Sequence, residues 1–375
     1  MRLIFGIDAL HPPLTGIGRY SFELIQRLRR SGQIEDILLT TGLRIQAELP
    51  NLEYLASADT PRLGFRRVAS AASAGLRRRF CSARLNRLSD YVCHGPNFVS
   101  PRTGVANRNV ITVHDLSVYH YPEFHPPRRV RHMRKLLPAS VEQAARVITV
   151  STSIAAELKT RFSLSDEQIR VIPLGVAACF TSQIDLATAA EDNDLLTDYG
   201  LNDRPYFLFV NGSDPRKNLD RCLQAFEIFR AEHGEDWQLV ITGAQQPIKP
   251  DSKPGSRWLG HPSDRRLTAL YRGAAGLVFP SIYEGFGLPV VEALAVGTPV
   301  LISEDPALQE FSILPGVVSA SAREQTSLVS GLEALANSAV GEQARSGAPM
   351  VADRYSWDAC VAATLACYAQ LAGCE

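Results

Sequence analysis

Residues 281–301 place glycines and two glutamates between an apolar run and a helical pattern. The apolar run Gly276–Pro280 leads into Glu284 and a glycine-rich turn, and the helical pattern begins near Leu288. Glycine lets the backbone approach a ligand closely, and a helix N-terminus offers free N–H donors to phosphate. Glu292 follows about one turn into the helix among apolar neighbours, which disfavours a plain surface role. One carboxylate can therefore meet the hydroxyls of a sugar and the other those of a ribose.

A second segment, residues 211–218, follows the predicted strand Tyr206–Val210 and carries two cations where a helix begins. Arg216 and Lys217 at that position oppose the helix dipole, so we expect an anion to compensate them. A diphosphate fits this requirement. Spacing alone leaves open the alternative of a solvated basic pair.

Two positions in the first half of the chain also follow predicted strands. Gly16 comes after the first apolar run and opens a helix, where backbone N–H groups can face a phosphate. The alternative there is a turn that merely permits glycine. His114 ends the predicted strand Val110–Val113, at the edge where open α/β sheets bind ligands. For His114 the alternative is a histidine satisfied within the core.

Short apolar runs and helical patterns alternate along the chain and supply the scaffold for these segments. Runs of this kind, rich in Val, Ile and Leu and not alternating, are typical of strands covered on both faces, so we predict doubly wound parallel sheets. The pattern restarts after an acidic stretch, Gln183–Asp203, which we predict to be a linker. The predicted strands are Leu3–Ile7, Ile37–Thr40, Asp90–Cys93, Val110–Val113, Val147–Val150, Ile169–Ile172, Tyr206–Val210, Gln238–Thr242, Gly276–Pro280, Pro299–Ser303 and Gly316–Ser319. The predicted helices include Gly18–Arg30, Asn218–His233, Asp264–Gly273, Leu288–Val296 and Trp357–Leu371.

Length and composition exclude several classes of protein. A chain of 375 residues with 45% hydrophobic and 21% charged residues is expected to form two folded domains. The sequence contains neither G-x-G-x-x-G after the first strand nor a P-loop motif, which removes the main support for a nicotinamide enzyme or a P-loop NTPase. Its seven cysteines lack a C-x-x-C pair and predict neither disulfides nor a zinc site. The start, MRLIFGID, lacks the features of a signal peptide, so we expect a cytoplasmic location.

A net charge of zero conceals an asymmetry between the two halves of the chain. Residues 1–180 hold 25 Lys and Arg against 14 Asp and Glu, and residues 181–375 hold the reverse. Two acid-free basic stretches with interleaved apolar residues lie in the first half, and such segments suit an anionic membrane surface. A solvated helix face is the alternative, and no motif supports a nucleic-acid partner. The stretches are Pro61–Ser89, with Arg62, Arg66, Arg67, Arg77, Arg78, Arg79, Arg84 and Arg87, and Pro126–Val141, with Arg128, Arg129, Arg131, Arg134 and Lys135.

Taken together, these motifs resemble those of the retaining glycosyltransferases of family 4. The resemblance rests on the opening Leu14–Tyr20, on Pro215–Asn218, and on Glu284 and Glu292, which match the family's E-x7-E motif in an EGFGLPxxEA context. Within the family the chain is similar to bacterial mannosyl- and rhamnosyltransferases of O-antigen and exopolysaccharide assembly. The resemblance implies the GT-B fold, an α/β architecture of two Rossmann-like doubly wound domains facing a cleft. Residues 1–182 would bind the acceptor, residues 204–355 the nucleotide sugar, and residues 356–375 would form a helix crossing back to the first domain.

The resemblance also implies roles for single residues. Arg216 and Lys217 would bind the donor diphosphate, because Ser213 replaces an Arg that many members place there. Glu284 would hold the transferred sugar and Glu292 the ribose. The implied catalytic residues are His114, beside the sugar, and Glu284. The other implied donor-binding residues are Gly16, Gly260, His261, Gly285, Phe286, Gly287 and Leu288.

The implied reaction moves a hexose, mannose or rhamnose from a GDP-sugar, to a lipid-linked or growing surface polysaccharide with retention at the anomeric carbon. The nucleotide sugar is a co-substrate, no cofactor or metal is required, and the acceptor is expected to be a polyprenyl-diphosphate-linked glycan at the inner face of the inner membrane. Asp192-Asn193-Asp194 matches the D-x-D metal motif of the other glycosyltransferase architecture, but no apolar strand precedes it. The alternatives are a UDP-sugar-dependent transferase, a GT-B nucleotide-sugar epimerase, and a non-catalytic sugar-nucleotide-binding protein.

Overall fold

The computed structural model describes residues 1–12, 14–41, 44–46, 48–50, 80–101, 107–182, 186–202, 204–211, 214–243 and 254–373. The chain divides into two compact units: Met1–Gly175 with Trp357–Glu375, and Val176–Ser356. Among the helices in the described ranges, none combines the length and the apolar composition that a bilayer crossing requires.

The first unit is built on a seven-stranded sheet in the order β3-β2-β1-β4-β5-β6-β7. All its pairs are parallel except β2 with β3. The central strands β4 and β5 are buried from end to end, as expected of strands covered on both faces, although each contains buried polar residues. The strands are β1 Arg2–Gly6, β2 Asp36–Thr40, β3 Ile45–Gln46, β4 Val92–Gly95, β5 Asn109–Val113, β6 Arg146–Thr149 and β7 Ile169–Val171.

Two helices of the first unit begin where a small polar residue caps them. Thr15 accepts the Gly18 N–H at the start of α1, and Ser151 accepts the Ile154 N–H at the start of α4. The last helix of the chain, α12, belongs to this unit, and a Cβ at Gly175 would lie 2.3 Å from the Trp357 nitrogen, so only glycine fits there. The helices are α1 Gly16–Arg30, α2 Ser117–His120, α3 Pro127–Glu142, α4 Thr152–Phe162 and α12 Trp357–Ala372.

The second unit is built on a six-stranded parallel sheet in the order β10-β9-β8-β11-β12-β13. Its core joins the faces of β8, β9 and β11 to two amphipathic helices, and Phe207, Phe226 and Phe229 are among its buried members. The strands are β8 Tyr206–Phe209, β9 Gln238–Ile241, β10 Ser256–Trp258, β11 Gly276–Phe279, β12 Val300–Ile302 and β13 Val317–Ser319. The helices are α5 Leu186–Asp198, α6 Leu219–His233, α7 Asp264–Gly273, α8 Leu288–Val296, α9 Pro306–Gln309, α10 Gln325–Leu335 and α11 Ser338–Arg354.

The prediction of a linker over Gln183–Asp203 is wrong. Residues of this stretch form helix α5, which lies in the second unit and packs on α7. Asp192 is buried and bonded to two arginines of α7: its carboxylate accepts from Arg265 and, at 2.8 Å, from Arg272. The acidic residues of this stretch suggested a solvent-exposed linker, but the two arginines neutralise Asp192. Asp192 is the first carboxylate of the D-x-D triplet, and it is thus already paired with cations of the protein.

The unit boundaries also differ from those predicted. The second unit begins at Val176, where the predicted first domain would still continue to residue 182. The Val176 N–H donates to the Tyr355 carbonyl at 2.8 Å, so both ends of this unit are tied by one backbone bond. Strand β4 lies two residues beyond the predicted Asp90–Cys93, and the edge strands β3 and β10 were not predicted because each is only two or three residues long.

Candidate active site

The sequence motifs of the second unit meet at one edge of its sheet. The segment that bears Arg216 and Lys217 follows β8, and the loop that bears Glu284 follows β11, the neighbouring parallel strand. The strand order reverses between β8 and β11: β9 and β10 follow on the side of β8, and β12 and β13 follow on the side of β11. Ligands of open α/β sheets bind at the carboxyl ends of the strands at such a switch point. The two loops are joined directly, since the Ile282 N–H donates to the Arg216 carbonyl at 2.8 Å.

Lys217 and Glu284 form an ion pair across this edge. The Lys217 Nζ donates to the Glu284 carboxylate, and the two side chains are 10% and 12% exposed. The same ammonium lies 4.5 Å from the centroid of the Phe279 ring, at the end of β11. Screening by water is weak at this burial, so the pair is a strong electrostatic element of the site.

Arg216 is paired within its own turn. Its Nε and a terminal nitrogen donate to the Asp214 carboxylate at 3.2 and 2.7 Å. Burial alone would raise the pKa of Asp214, but the hydrogen bonds and charge of Arg216 lower it. Asp214 and Glu284 therefore provide negative charge beside the two cations, and the contact of Arg216 and Lys217 with a diphosphate stays a prediction. The cations also lie in a 3-10 turn, Pro215–Lys217, that precedes helix α6.

The glycine turn between Glu284 and α8 has the close-packed backbone that its sequence predicts. Gly287 has φ +103°, and a Cβ there would lie 2.7 Å from Leu308, so no other residue fits. The start of α8 offers fewer free N–H donors than the sequence predicts. Pro289 has no N–H, and the Val290 N–H donates to the Gly287 carbonyl at 2.9 Å. Gly285 and Leu288 are half-buried beside it.

Phe286 is buried, and its ring packs against two other aromatic rings of the second unit. Its centroid lies 5.3 Å from that of Phe311 and 5.9 Å from that of Tyr355. Edge-to-face packing of this kind holds the Glu284 loop against the core. The predicted role of Phe286 in donor binding therefore depends on its backbone groups.

Glu292 is 6% exposed on α8, and its carboxylate is held by a neighbour. The Tyr271 hydroxyl, on α7, donates to its Oε2 at 3.2 Å. The Thr298 hydroxyl donates in turn to the Tyr271 carbonyl at 2.7 Å. Glu292 is therefore a buried carboxylate with a fixed position on α8, and its contact with a ribose stays a prediction.

Sequence reasoning missed Asp305, which follows β12 on the other side of Glu284. Its carboxylate caps α9, accepting the N–H groups of Ala307 and Leu308 at 3.0 and 3.3 Å, and it also accepts the Glu284 N–H. Burial and, more weakly, the Glu284 charge raise the pKa of Asp305 to about 7, against these hydrogen bonds. The signal was present, because Asp before Pro306 is a helix-cap pattern.

Gly260 and His261 follow β10, toward the far end of the same sheet edge. Gly260 has φ +68°, and its carbonyl accepts the Gly243 N–H at 2.7 Å, which ties this turn to the one after β9. His261 is exposed. Both lie where a ligand bound at the carboxyl edge of β9 and β10 would meet them.

In the first unit, Gly16 lies after β1, and Thr15 caps the helix that Gly16 opens. Gly16 is exposed, and a Cβ there would meet open space, so its conformation demands no glycine. A predicted phosphate contact at Gly16 therefore depends on space beside the backbone.

His114 is buried after β5, close to the centre of the first sheet. Its Nε2 lies 2.8 Å from the Pro96 carbonyl, which only accepts, so Nε2 carries the proton of the neutral ring. Burial lowers the pKa of His114, although the bond to Pro96 opposes this effect. The rings of Tyr20 and Phe98 pack edge-on to it at 4.9 and 5.7 Å. The structure thus places His114 as a neutral imidazole with a fixed orientation.

Within the described ranges, one group of side chains has the spacing of metal ligands: Glu232, His233 and Glu333. All three are exposed on α6 and α10, outside the loops at the carboxyl edge. Exposed acidic groups of this kind are common without a metal, so the group adds nothing to the site.

Comparisons with known proteins identify the family. The family model "Glycosyltransferase Family 4" matches residues 14–178, and "Glycosyl transferases group 1" matches residues 195–337. The chain is 32% identical to O-antigen chain mannosyltransferase B of Escherichia coli, over 98% of this chain and 99% of that protein.

Solved structures share the fold. Sucrose-phosphate synthase from Thermosynechococcus elongatus superposes with a TM-score of 0.71 at 18% identity and covers 100% of both chains. WaaG, a glycosyltransferase involved in lipopolysaccharide biosynthesis, superposes with a TM-score of 0.69 at 16% identity over 99% of this chain and 100% of its own. With two Rossmann-like parallel-sheet units of the GT-B type and both family models matched, the chain is a glycosyltransferase that belongs to family 4.

Proposed function

We propose that this enzyme transfers mannose from a GDP-sugar to a lipid-linked or growing surface polysaccharide, with retention at the anomeric carbon. The observation that carries the proposal is the 32% identity to an O-antigen chain mannosyltransferase over nearly the whole of both chains. The matched region extends across both units, so the likeness is not confined to the part of the chain that would bind the nucleotide.

In the proposed reaction, one bond to the sugar C1 breaks and another bond to the same carbon forms. The bond between the sugar C1 and the diphosphate oxygen breaks, and the electron pair leaves with the nucleoside diphosphate. A hydroxyl oxygen of the acceptor forms the new bond to C1 on the same face. The acceptor proton passes to the departing phosphate oxygen, so the protein needs no separate general base. The cations Arg216 and Lys217 can supply the positive charge that a metal ion would bring to a diphosphate, so we expect transfer to proceed without a metal ion.

Lys217 supplies the charge that stabilises the departing diphosphate in this proposal. An ammonium has three N–H donors, and the bond to Glu284 uses one. The ammonium is only 10% exposed, so it acts through little water, and a cation whose position is fixed stabilises a developing anion without reorganisation. Arg216, the preceding residue, carries a second cation, and its guanidinium is held in place by the Asp214 carboxylate.

The two glutamates of the second unit bind the two halves of the donor in this proposal. Glu284, fixed by Lys217, accepts hydroxyl hydrogen bonds from the transferred sugar, and Glu292, fixed by Tyr271, accepts those of the ribose. His114 donates its Nε2 proton to Pro96, so what it offers the sugar is the Nδ1 lone pair, as a hydrogen-bond acceptor and not as an acid.

A donor panel tests the proposal. Purified enzyme is incubated with an isolated lipid-linked glycan and with GDP-mannose, GDP-rhamnose, UDP-glucose or UDP-galactose, and the product is analysed by mass spectrometry and by NMR of its anomeric carbon. We expect a hexose to be added from GDP-mannose in α linkage, equally in the presence of EDTA. Addition only from a UDP-sugar contradicts the donor, and an inverted anomer contradicts retention.

The panel also separates the remaining alternatives. Release of an epimerised nucleotide sugar without acceptor indicates an epimerase. Nucleotide binding without any turnover indicates a non-catalytic protein. A Glu284→Gln variant serves as the matched control, because it keeps the size of the side chain and removes its charge.

We further propose that the enzyme works at the inner face of the inner membrane, held by basic residues of the first unit. Five cations on α3 are exposed: Arg128, Arg129, Arg131, Arg134 and Lys135. In the described part of the other stretch, Arg84 and Arg87 are exposed, and Phe80 is 68% exposed. Arg62, Arg66, Arg67, Arg77, Arg78 and Arg79 lie outside the described residues.

Vesicle sedimentation tests this surface. Each Lys or Arg near an anionic membrane contributes about 1 kcal/mol, and salt screens it. Arg128→Ala with Arg131→Ala should reduce binding to phosphatidylglycerol vesicles and leave GDP affinity unchanged. Arg323→Ala with Arg345→Ala, which removes the same charge from the second unit, is the control. Equal losses in the two double variants would contradict a specific surface.

A further inference from the structure

A continuous chain of hydrogen bonds runs through the core of the first unit and ends beside His114. The Tyr368 hydroxyl, on α12, bonds to Nδ1 of His94, on β4. His94 Nε2 lies 2.8 Å from the Thr112 hydroxyl, on β5, and this hydroxyl lies 2.9 Å from that of Tyr20, on α1. Each of these side chains is at most 1% exposed. Buried polar groups are costly unless they are satisfied, so this chain holds four elements in one arrangement.

The chain has a direction only while His94 is neutral. A neutral imidazole donates from one nitrogen and accepts at the other. All hydrogen bonds from Tyr368 to Thr112 can therefore point the same way along the chain, in either direction. A protonated ring would donate from both nitrogens and interrupt that order. Burial, with a smaller contribution from His114, lowers the pKa of His94 to about 3, so the ring is neutral under ordinary conditions.

Two of the three contacts that orient His114 connect to this chain of hydrogen bonds, and the third is the ring of Phe98. The Tyr20 ring packs edge-on against the imidazole of His114 at 4.9 Å, at an interplanar angle of 79°. The Pro96 carbonyl, which accepts the His114 Nε2–H, lies two residues beyond His94 in the loop after β4.

We propose that Tyr368 is a positioning residue for His114: acting through His94, Thr112 and Tyr20, it fixes the imidazole in the orientation that sugar transfer requires. The inference depends on the proposed function in one respect, the catalytic role of His114. It makes the last helix a part of the catalytic apparatus, acting from a sequence distance of 254 residues between Tyr368 and His114.

Tyr368→Phe removes the hydroxyl and keeps the ring, and Thr112→Val interrupts the chain at its middle in nearly the same volume. Tyr206→Phe is the control, since its buried hydroxyl donates to the Leu270 carbonyl in the second unit and has no link to His114. His114 is observed through its imidazole ¹H–¹⁵N long-range resonances in the full-length protein, assigned with His114→Gln. Transfer kinetics are measured on the same samples.

We expect Tyr368→Phe and Thr112→Val to move the His114 resonances and to lower kcat about tenfold, with the donor KM within about twofold of wild type. Tyr206→Phe should move neither. The double variant should lower kcat no further than Thr112→Val alone, because both interrupt one chain. Unmoved His114 resonances, or moved resonances with an unchanged kcat, would overturn the proposal.

The two hypotheses fail separately. If His114→Gln transfers sugar at the wild-type rate, the catalytic role of His114 in the proposed function is wrong, whereas the resonances still report whether Tyr368 orients the ring. If His114→Gln is inactive and Tyr368→Phe leaves both resonances and kcat unchanged, the proposed function stands and the positioning role is refuted.

Discussion

Lys217→Met separates the electrostatic role of the Lys217 ammonium from its effect on stability. The substitution keeps the length of the side chain and its packing on Phe279, and it leaves the Glu284 carboxylate, 12% exposed, without its cation. Breaking a buried pair by removing one partner typically costs 3–5 kcal/mol, so we expect the free energy of unfolding to fall by about 3 kcal/mol. Loss of the charge opposite the departing diphosphate should also lower kcat at least about a hundredfold.

The double variant Lys217→Met with Glu284→Gln distinguishes the two effects. It removes the unpaired carboxylate, so most of the lost stability should return in urea unfolding measurements. Turnover should remain low, because neither the cation nor the sugar-binding carboxylate is restored. Lys217→Met as stable as wild type would refute the reasoning about the pair, and recovery of kcat in the double variant would refute the role of the charge.

Three further predictions concern the rest of the site. Calorimetry with GDP should show a large loss of affinity in Glu292→Ala and a small one in Glu284→Ala, since the ribose belongs to the nucleotide and the sugar does not; equal losses would contradict the assigned roles. GDP should raise the Tm more than UDP does at the same concentration. At 100 times its Kd, GDP should add about 2.7 kcal/mol to the free energy of unfolding of the ligand-free protein, and stronger protection by UDP would point to a UDP-sugar. Because burial raises the pKa of Asp305 from 3.8 to about 7, the native state retains that proton longer than the unfolded chain, so the stability it contributes is present at low pH and declines as pH rises from about 4 to 7. Asp305→Asn should lose this decline in urea unfolding measured across that range, and an identical slope would contradict the raised pKa.

Local pattern was sufficient for the elements that carry the site. The observed α7 and α8 begin and end where the sequence predicts, at Asp264–Gly273 and Leu288–Val296, because cap residues and glycines mark their ends. The buried strands follow from their uninterrupted apolar runs. Glu284 and Glu292 were singled out as candidate site residues from local sequence, because one lies at a glycine-rich turn between a strand and a helix and the other lies among apolar residues of that helix.

Local pattern failed where a distant partner decides the outcome. Residues 186–198 look like a solvated acidic linker, and they are helical because Arg265 and Arg272 of α7 neutralise Asp192. The sequence analysis assigned no partner to Arg216, and only the folded turn shows that Arg216 pairs with Asp214.

The sequence by itself determined the family, the parallel α/β architecture and the residues of the donor loops, because those depend on periodicity, caps and short motifs. Only the tertiary structure decided how the charges are balanced and how His114 is oriented. Lys217 meets Glu284 because β8 and β11 are neighbours, although the two residues are 67 positions apart. His94 meets Tyr368 across 274 positions because α12 returns to the first unit. Hydrogen bonds and ion pairs between residues so far apart in the sequence depend on strand order and helix placement, and no short window of sequence contains that information.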